Sequence, residues 1–236
     1  MSSLFTAKGN EAVASANKKN VDLKKVYIRL KDGESVRVRL LGITDDTFRE
    51  YMAQGDFNLG IFTQPDISPI IGGPSPLTVA SNSGIEKFEK LYNKKRYLVV
   101  MADIDTGELR VFDGSKGQGQ QLEKLIKEFD DSKDDVAFKF MRTGNKTDTN
   151  YNLIPIMKLN AADKEKFEAA GSLEVTSDFL DSVLIPRTKE QQIELLEKAG
   201  FPVKEFFGTV VDTNTTTDAG TDVEPEEIPE DETGNF

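Results

Sequence analysis

Hydrophobic and polar residues alternate with a period of two near the start of the chain. The runs KVYIRLK (25–31) and VRVRLL (36–41) flank the pair Asp32-Gly33. Alternation on both sides of an Asp-Gly pair predicts a β-hairpin with one buried face. The opposite face of this hairpin would gather five cations and an aromatic ring, namely Lys25, Arg29, Lys31, Arg37, Arg39 and Tyr27.

Similar patterns predict further elements. Strands are expected as a pair within 48–62, as a second hairpin at 96–104 and 109–113, and at 136–142 and 151–157. Helices are expected at 85–95, 115–129, 162–170, 177–184 and 189–199, whereas the four prolines of residues 63–84 favour an irregular loop. Strands with turn signals and few helices between them favour a fold that is mainly β with α, a small mixed or partly open barrel rather than a parallel sheet.

These elements divide the chain into consecutive parts. Residues 1–23 are predicted to form a flexible basic arm, and residues 24–160 a β-rich core that contains the proline-rich insertion 63–84. Residues 161–208 are predicted to be a helical extension packed on the core, followed by a disordered acidic tail at 209–236.

Acidic side chains are concentrated in that tail. The chain has 30 Lys and Arg against 41 Asp and Glu, and residues 212–236 hold nine carboxylates with no Lys or Arg. The rest of the chain therefore has 30 basic and 32 acidic side chains. The tail is either a solubility segment or a movable anion that competes with nucleic acid for a basic groove. In the second case its end would bind partner proteins through Glu230, Asp231, Glu232 and Phe236.

Cations that alternate with aromatic rings are typical of surfaces that bind single-stranded nucleic acid. Lys and Arg neutralise phosphates, and a ring provides a stacking platform for a base. The alternative is a solvated outer strand face with no ligand. Further candidate contacts lie on the neighbouring predicted strands: Arg49, Tyr51, Lys94, Lys95, Arg96, Tyr97, Arg110, Phe112, Lys139 and Arg142. Phe138 and Phe140 are expected to fill the core instead.

Other kinds of chemistry have weak support in the sequence. The chain has no Cys and no His, which removes disulfides, thiolate chemistry and the commonest general base and zinc ligand. The segment 114–119 does not match a phosphate-binding loop, and Ser115 with Gln118 is better explained as a helix cap. Asp103, Asp105 and Glu108 are better explained as a hairpin turn than as a cation site. We therefore expect no enzyme activity and no cofactor.

No targeting signal is evident either. No apolar run approaches the roughly 18 residues that span a bilayer, and the N-terminal residues lack the order of a secretory signal. We therefore expect a cytoplasmic protein without a membrane partner.

Two stretches carry a resemblance to a known family. GESVRVRLLG (33–42) and KKRYLVVMADIDTGELRVFDGSKGQGQQLEKLIKEF (94–129), separated by a proline-rich insertion, resemble the helix-destabilising single-stranded DNA-binding proteins of T-even bacteriophages. The resemblance implies an OB-fold core, cooperative binding through a basic N-terminal arm, and an acidic C-terminal region that recruits replication proteins. Lys18 and Lys19 would correspond to the arm, and residues 212–236 to the acidic region.

The chain departs from that family in two ways. Well-known members hold a structural zinc with Cys and His in the insertion, and this chain has neither residue. The segment 57–95 must then be stabilised by packing alone, or belong to a zinc-free branch. The ending EDETGNF (230–236) is more similar to the acidic tails with a terminal phenylalanine of bacterial and T-odd phage single-stranded DNA-binding proteins.

The leading hypothesis is a phage-encoded protein that coats unpaired DNA without sequence preference during replication, recombination and repair. Its expected partners are single-stranded DNA, further copies of itself along that DNA, and a polymerase, primase or helicase bound through the tail. It would act in the cytoplasm of an infected bacterium. The first alternative is an acidic protein-interaction or DNA-mimic module. The second is a metal-dependent nuclease that uses Asp103, Asp105 and Glu108.

Overall fold

The computed structural model describes residues 22–145 and 148–208 of the chain. The strands are β1 (Ser35–Leu40), β2 (Phe48–Asp56), β3 (Ile61–Pro65), β4 (Lys94–Asp103), β5 (Glu108–Ser115), β6 (Ala137–Thr143) and β7 (Asn150–Ile156). The helices are α1 (Leu23–Val26), α2 (Ser68–Ile71), α3 (Pro76–Ser81), α4 (Lys116–Glu128), α5 (Ala161–Ala170), α6 (Ser177–Val183), α7 (Lys189–Lys198) and α8 (Val203–Phe207). The predicted acidic tail (209–236), with Glu230, Asp231, Glu232 and Phe236, lies outside the described residues, and so does the predicted arm apart from residues 22 and 23.

All seven strands belong to one antiparallel sheet with β4 at its centre. One edge of β4 pairs with β5 over residues 96–103, and the other pairs first with β2 and then with β1. β1 continues to β6, which pairs with β7, and β3 extends the sheet beyond β2. The predicted combination of α and β structure is therefore confirmed. The sheet is open, because no ladder joins β5 to β7 within the described residues.

The predicted hairpin of residues 25–41 is wrong. Residues 32–33 do form a turn, and the backbone N–H of Glu34 donates to the Lys31 carbonyl at 3.0 Å. The chain before the turn is not a strand of the sheet, however, and only Tyr27 forms an isolated parallel bridge, with Val111 of β5. The strand after the turn, β1, pairs instead with β4 and β6. Those two ladders bury Val38 and Leu40, which a two-stranded hairpin alone could not do.

Other predicted elements are confirmed. The hairpin of β4 and β5 has the expected turn, and α4 begins at a capping box formed by Ser115 and Gln118. The strand pair within 48–62 exists as β2 and β3, with a 3₁₀ turn at Phe57–Leu59 between them. The proline-rich insertion is more regular than expected, because it includes the last residues of β3 and the two short helices α2 and α3.

Apolar side chains pack on both faces of the sheet. The inner face buries Val38, Leu40, Val99, Met101, Phe112, Phe138 and Phe140 against Leu122 and Ile126 of α4. The expected core positions of Phe138 and Phe140 are thus confirmed. On the outer face, α6 lies over Leu98, Val100 and Val111 and buries its own Leu180 and Val183.

The insertion and the residues on either side of it form a separate apolar cluster. Ile61, Leu77, Ala80, Phe88 and Leu91 are buried against Leu196 of α7 and against Phe201 and Val203. Contacts between the insertion and the C-terminal helices therefore stabilise this region by burial of apolar surface. No group of three or more Cys, His, Asp or Glu side chains is arranged to hold a metal ion anywhere in residues 22–145 and 148–208. Among these same residues, no helix has the length and apolar character of a membrane span.

Candidate nucleic-acid interface

Three of the predicted DNA contacts lie beneath α6. The Arg96 Nε donates to Asp113 Oδ1 at 2.9 Å, and the Tyr51 hydroxyl donates to Asp113 Oδ2 at 2.9 Å. The Tyr27 hydroxyl donates to the Val183 carbonyl of α6 at 2.9 Å. Burial raises the pKa of both tyrosines, and although burial opposes the charge of Arg96, the Asp113 carboxylate raises its pKa. The outer face of β4 and β5 is therefore closed by the chain itself.

Three more predicted contacts lie inside the fold, and two of them hold the segment that precedes β1. Arg110 Nη1 donates to Asp103 Oδ2 at 3.0 Å, and its Nη2 donates to the Tyr27 carbonyl at 3.1 Å. Arg142 is buried, and its Nη1 donates to the Leu30 carbonyl at 3.0 Å. The buried ring of Phe112 packs in the core against Phe140 and Tyr151, at centroid distances of 5.1 and 4.5 Å. These three side chains therefore have structural contacts within the protein.

The arginines on β1 and β2 are paired with carboxylates. Arg37 forms ion pairs with Asp105 and, at 2.9 Å, with Asp163 of α5, and its guanidinium lowers the pKa of both carboxyls. Arg39 pairs with Asp134 at 2.8 Å and lies 4.5 Å from the centre of the Phe167 ring. Arg49 pairs with Asp46 at 3.0 Å and with Asp181 of α6 at 3.5 Å. These arginines fasten α5 and α6 to the sheet.

Asp103 and Asp105 also have a structural explanation. The Asp103 side chain accepts hydrogen bonds from the backbone N–H groups of Asp105 and Thr106 at 2.9 and 3.2 Å. It also forms an ion pair with Arg110. These bonds shape the turn between β4 and β5, in agreement with the hairpin turn predicted from the sequence.

Several predicted cations remain accessible. The Lys25 Nζ lies 4.0 Å from Asp22, the Arg29 guanidinium 6.0 Å from the Tyr27 ring, and the Lys94 Nζ 5.1 Å from the Tyr92 ring. Lys31 and Lys139 are exposed. Each of these cations could neutralise a phosphate without first breaking a buried ion pair.

A surface cleft brings two aromatic rings together between α4 and the ladder of β2 and β4. We call this the α4 cleft; its volume is about 350 Å³ and it is lined by Ile43, Phe48, Tyr97, Gly119, Gln120, Glu123 and Lys127. The centroids of the Phe48 and Tyr97 rings are 5.7 Å apart, and their planes are tilted by 46°. Both side chains are half-buried, so the rings are held in place but still reach solvent.

The hydroxyl of Tyr97 is anchored at the rim of the cleft. It donates to Glu50 Oε2 at 2.6 Å, and Lys95 Nζ lies 3.0 Å from Glu50 Oε1. Glu50 and Tyr97 are direct cross-strand partners on β2 and β4, so strand register alone sets this contact. The bond to Tyr97 lowers the pKa of Glu50, and the same bond raises the pKa of Tyr97.

Gly119 allows the Tyr97 ring to lie against α4. A Cβ atom at Gly119 would lie 2.6 Å from Cγ and Cδ2 of that ring. Of the residues that line the cleft, only Tyr97 is among the contacts predicted from the sequence; Ile43, Phe48, Gly119, Gln120, Glu123 and Lys127 are not. A glycine inside an otherwise regular amphipathic helix was the signal that marked this close approach.

Two glycines of α4 give a matched test of this packing. Gly119→Ala should lower the free energy of unfolding by about 1 kcal/mol, because overpacking outweighs the gain in helix propensity. Gly117→Ala, which has no heavy atom within 4 Å of the added Cβ, should raise it by roughly 0.5 kcal/mol. Urea unfolding followed by circular dichroism measures both. Equal stabilisation by the two substitutions would contradict the packing of Tyr97 on Gly119.

Lysines surround the cleft, although they share it with two carboxylates. Lys95, Lys116 and Lys127 stand near Glu50 and Glu123, and Lys127 Nζ donates to Glu123 Oε1 at 2.6 Å. This bond to Lys127 lowers the pKa of Glu123. Exposed ion pairs of this kind are weak, so a phosphate could take the place of the Glu50 carboxylate beside Lys95 at little cost.

Comparison of the chain with protein-family models, with curated proteins and with solved structures finds no match.

Proposed function

We propose that this chain is a single-stranded DNA-binding protein that coats unpaired DNA without strong sequence preference. The observation that carries the proposal is the α4 cleft, where the rings of Phe48 and Tyr97 reach solvent beside Lys95, Lys116 and Lys127. Stacking on aromatic rings binds bases, and nearby lysines bind the phosphates that join them. Such a surface recognises features that every single strand shares.

The order of the strands supports an OB-fold core as part of this proposal. Five strands are adjacent in the order β5, β4, β1, β6, β7, and α4 connects β5 to β6. An OB fold has this order, with its helix between the third and fourth strands of the barrel. Between β5 and β7 there is no ladder among the described residues, and the rings of Phe112 and Tyr151 pack together there with their centroids 4.5 Å apart. The barrel would thus be closed by side chains at that seam.

This assignment also explains the place of the cleft. OB folds bind oligonucleotides on the face of their second and third strands and in the loops that connect strands one to two and four to five. Here that face is the outer side of β4 and β5, which α6 covers. Ile43 and Phe48 belong to the long connection between β1 and β4, so the α4 cleft lies in the loop region that remains open.

The acidic tail is the proposed regulator of this surface. With nine carboxylates and no cation in residues 212–236, it would occupy the lysine-rich surface in the absence of DNA and leave when DNA binds. Its release would free Phe236 to bind replication proteins such as a polymerase, primase or helicase. Further copies of the chain along the same strand, within the cytoplasm of an infected bacterium, complete the proposed setting in replication, recombination and repair.

Fluorescence anisotropy of labelled oligo(dT) tests the proposal. It compares binding by the full chain with binding by a chain that ends at residue 211. We expect both proteins to bind the single strand and not the duplex. The truncated chain should bind several-fold more tightly at low salt and almost equally at about 0.5 M salt, where screening weakens the tail.

The possible outcomes separate the two main hypotheses. Absence of binding by both proteins would contradict the DNA-coating function and favour the acidic protein-interaction module. Binding that truncation leaves unchanged at low salt would contradict competition by the tail and leave the DNA-coating function in place.

A further inference from the structure

The shape of the α4 cleft suits one planar group. Its volume is about 350 Å³, and Ile43, Phe48 and Tyr97 form an apolar wall beside the polar side chains of α4. Ile43 is 39% exposed, so this apolar wall is open to a ligand from solvent. A single aromatic heterocycle can stack on such a wall, whereas a folded apolar peptide would need a longer groove.

Charge inside the cleft determines which part of a nucleotide can enter. The Glu123 carboxylate lines the cleft on α4, and its lowered pKa keeps it ionised at neutral pH. Lys127 holds Oε1 of Glu123, and Oε2 has no hydrogen-bond partner among the described residues. A phosphate inside the cleft would be repelled by Glu123, but a neutral base would not. The base therefore enters, and the phosphates remain outside with Lys95 and Lys116.

The free oxygen of Glu123 also distinguishes among bases. A carboxylate accepts hydrogen bonds only, and the exocyclic amine of cytosine is a donor that carboxylates recognise. Thymine offers a carbonyl oxygen at the same position, which a carboxylate repels. We infer that the α4 cleft admits one unpaired nucleobase and that Glu123 makes it favour bases with an exocyclic amine, cytosine above thymine. This inference rests on the proposed function and names the ligand of the same site.

Competition between two labelled single strands tests the inference. One is an oligo(dT), and the other is the same oligonucleotide with dC at alternate positions, which has the same length, charge and ring size. The full chain should bind the dC-containing strand about ten-fold more tightly, which is the lower end of what one hydrogen bond to a charged acceptor contributes. Glu123→Gln should abolish this preference and raise the affinity for oligo(dT), because the repulsion between the carboxylate and the thymine carbonyl oxygen is removed.

Glu128→Gln is the matched control, because Glu128 is an exposed carboxylate of the same helix that does not line the cleft. It should leave the preference unchanged, and Glu123→Ala should abolish it as Glu123→Gln does. Equal affinity of the full chain for the two strands would overturn the inference, as would a preference that survives both substitutions of Glu123. Each of these two results would leave the DNA-coating function standing. Failure to bind either strand would overturn that function together with the inference.

Discussion

Replacement of Tyr97 by alanine should weaken the binding of oligo(dT) by about five-fold or more. A ring that stacks on a base contributes about 1–3 kcal/mol, and the Tyr97 ring is one of two that reach solvent in the α4 cleft. Its position against Gly119 and its bond to Glu50 fix the ring before DNA arrives, so little conformational entropy is lost on binding. Fluorescence anisotropy at a single moderate salt concentration measures the change.

Two further variants show whether stacking is the cause. Tyr97→Phe keeps the ring and removes only the bond to Glu50, so it should retain most of the affinity. Phe57→Ala removes a ring that is 48% exposed in the turn between β2 and β3, outside the cleft, and should have no effect. Equal loss of affinity in Tyr97→Phe and Tyr97→Ala would indicate that the hydroxyl matters and not the ring. Unchanged binding by Tyr97→Ala would exclude the cleft as the base-binding site.

The parts of the fold that could be predicted from the sequence are those defined by local interactions. The β4–β5 hairpin follows from alternation on both sides of a four-residue turn, and α4 follows from a capping box and an apolar stripe. Both signals lie within one stretch of chain. The N-cap of α7 is of the same kind, since the Thr188 side chain accepts a hydrogen bond from the Gln191 N–H within the first turn of the helix.

The first hairpin could not be assigned correctly for the opposite reason. Alternation in residues 25–41 shows which side chains share a face, but it does not identify the strand that lies beside them. β1 pairs with β4 and β6, which lie far along the chain, and those pairings bury more apolar surface than a local hairpin would. Tertiary contacts therefore overrode a strong local signal.

The same limit applies to the predicted DNA contacts. A row of arginines on one face indicates a polar surface, but it does not tell whether phosphates or the protein's own carboxylates will meet it. Arg37 pairs with Asp105 and Asp163, which lie 68 and 126 residues away from it in sequence. α6 packs with Tyr51, and its Val183 carbonyl accepts a hydrogen bond from Tyr27, which lies 156 residues away in sequence. The α4 cleft was missed because Phe48, Tyr97 and Gly119 come from three separate elements.

Removal of the Arg96 charge should reduce stability rather than DNA binding. Arg96→Met keeps much of the side-chain volume but leaves the Asp113 carboxylate without its paired cation beneath α6. The side chains of Arg96 and Asp113 are only 18% and 11% exposed, so solvent cannot replace the lost interaction well. Loss of one partner of a buried ion pair costs about 3 kcal/mol, and we expect the free energy of unfolding to fall by that amount. Urea unfolding followed by circular dichroism measures it.

Arg49→Met provides the comparison for this prediction. Arg49 is on β2, the strand that pairs with the strand of Arg96, and it forms ion pairs with Asp46 and Asp181. Its side chain is 33% exposed, however, which is more than that of Arg96. An ion pair that water can reach contributes less than about 1 kcal/mol, so Arg49→Met should destabilise the protein much less than Arg96→Met. At protein concentrations where Arg96→Met remains folded, its affinity for oligo(dT) should equal that of the unmodified chain. A large loss of affinity without a loss of stability would show that DNA reaches Arg96 after all, and α6 would then have to leave the outer face of β4 and β5 when DNA binds.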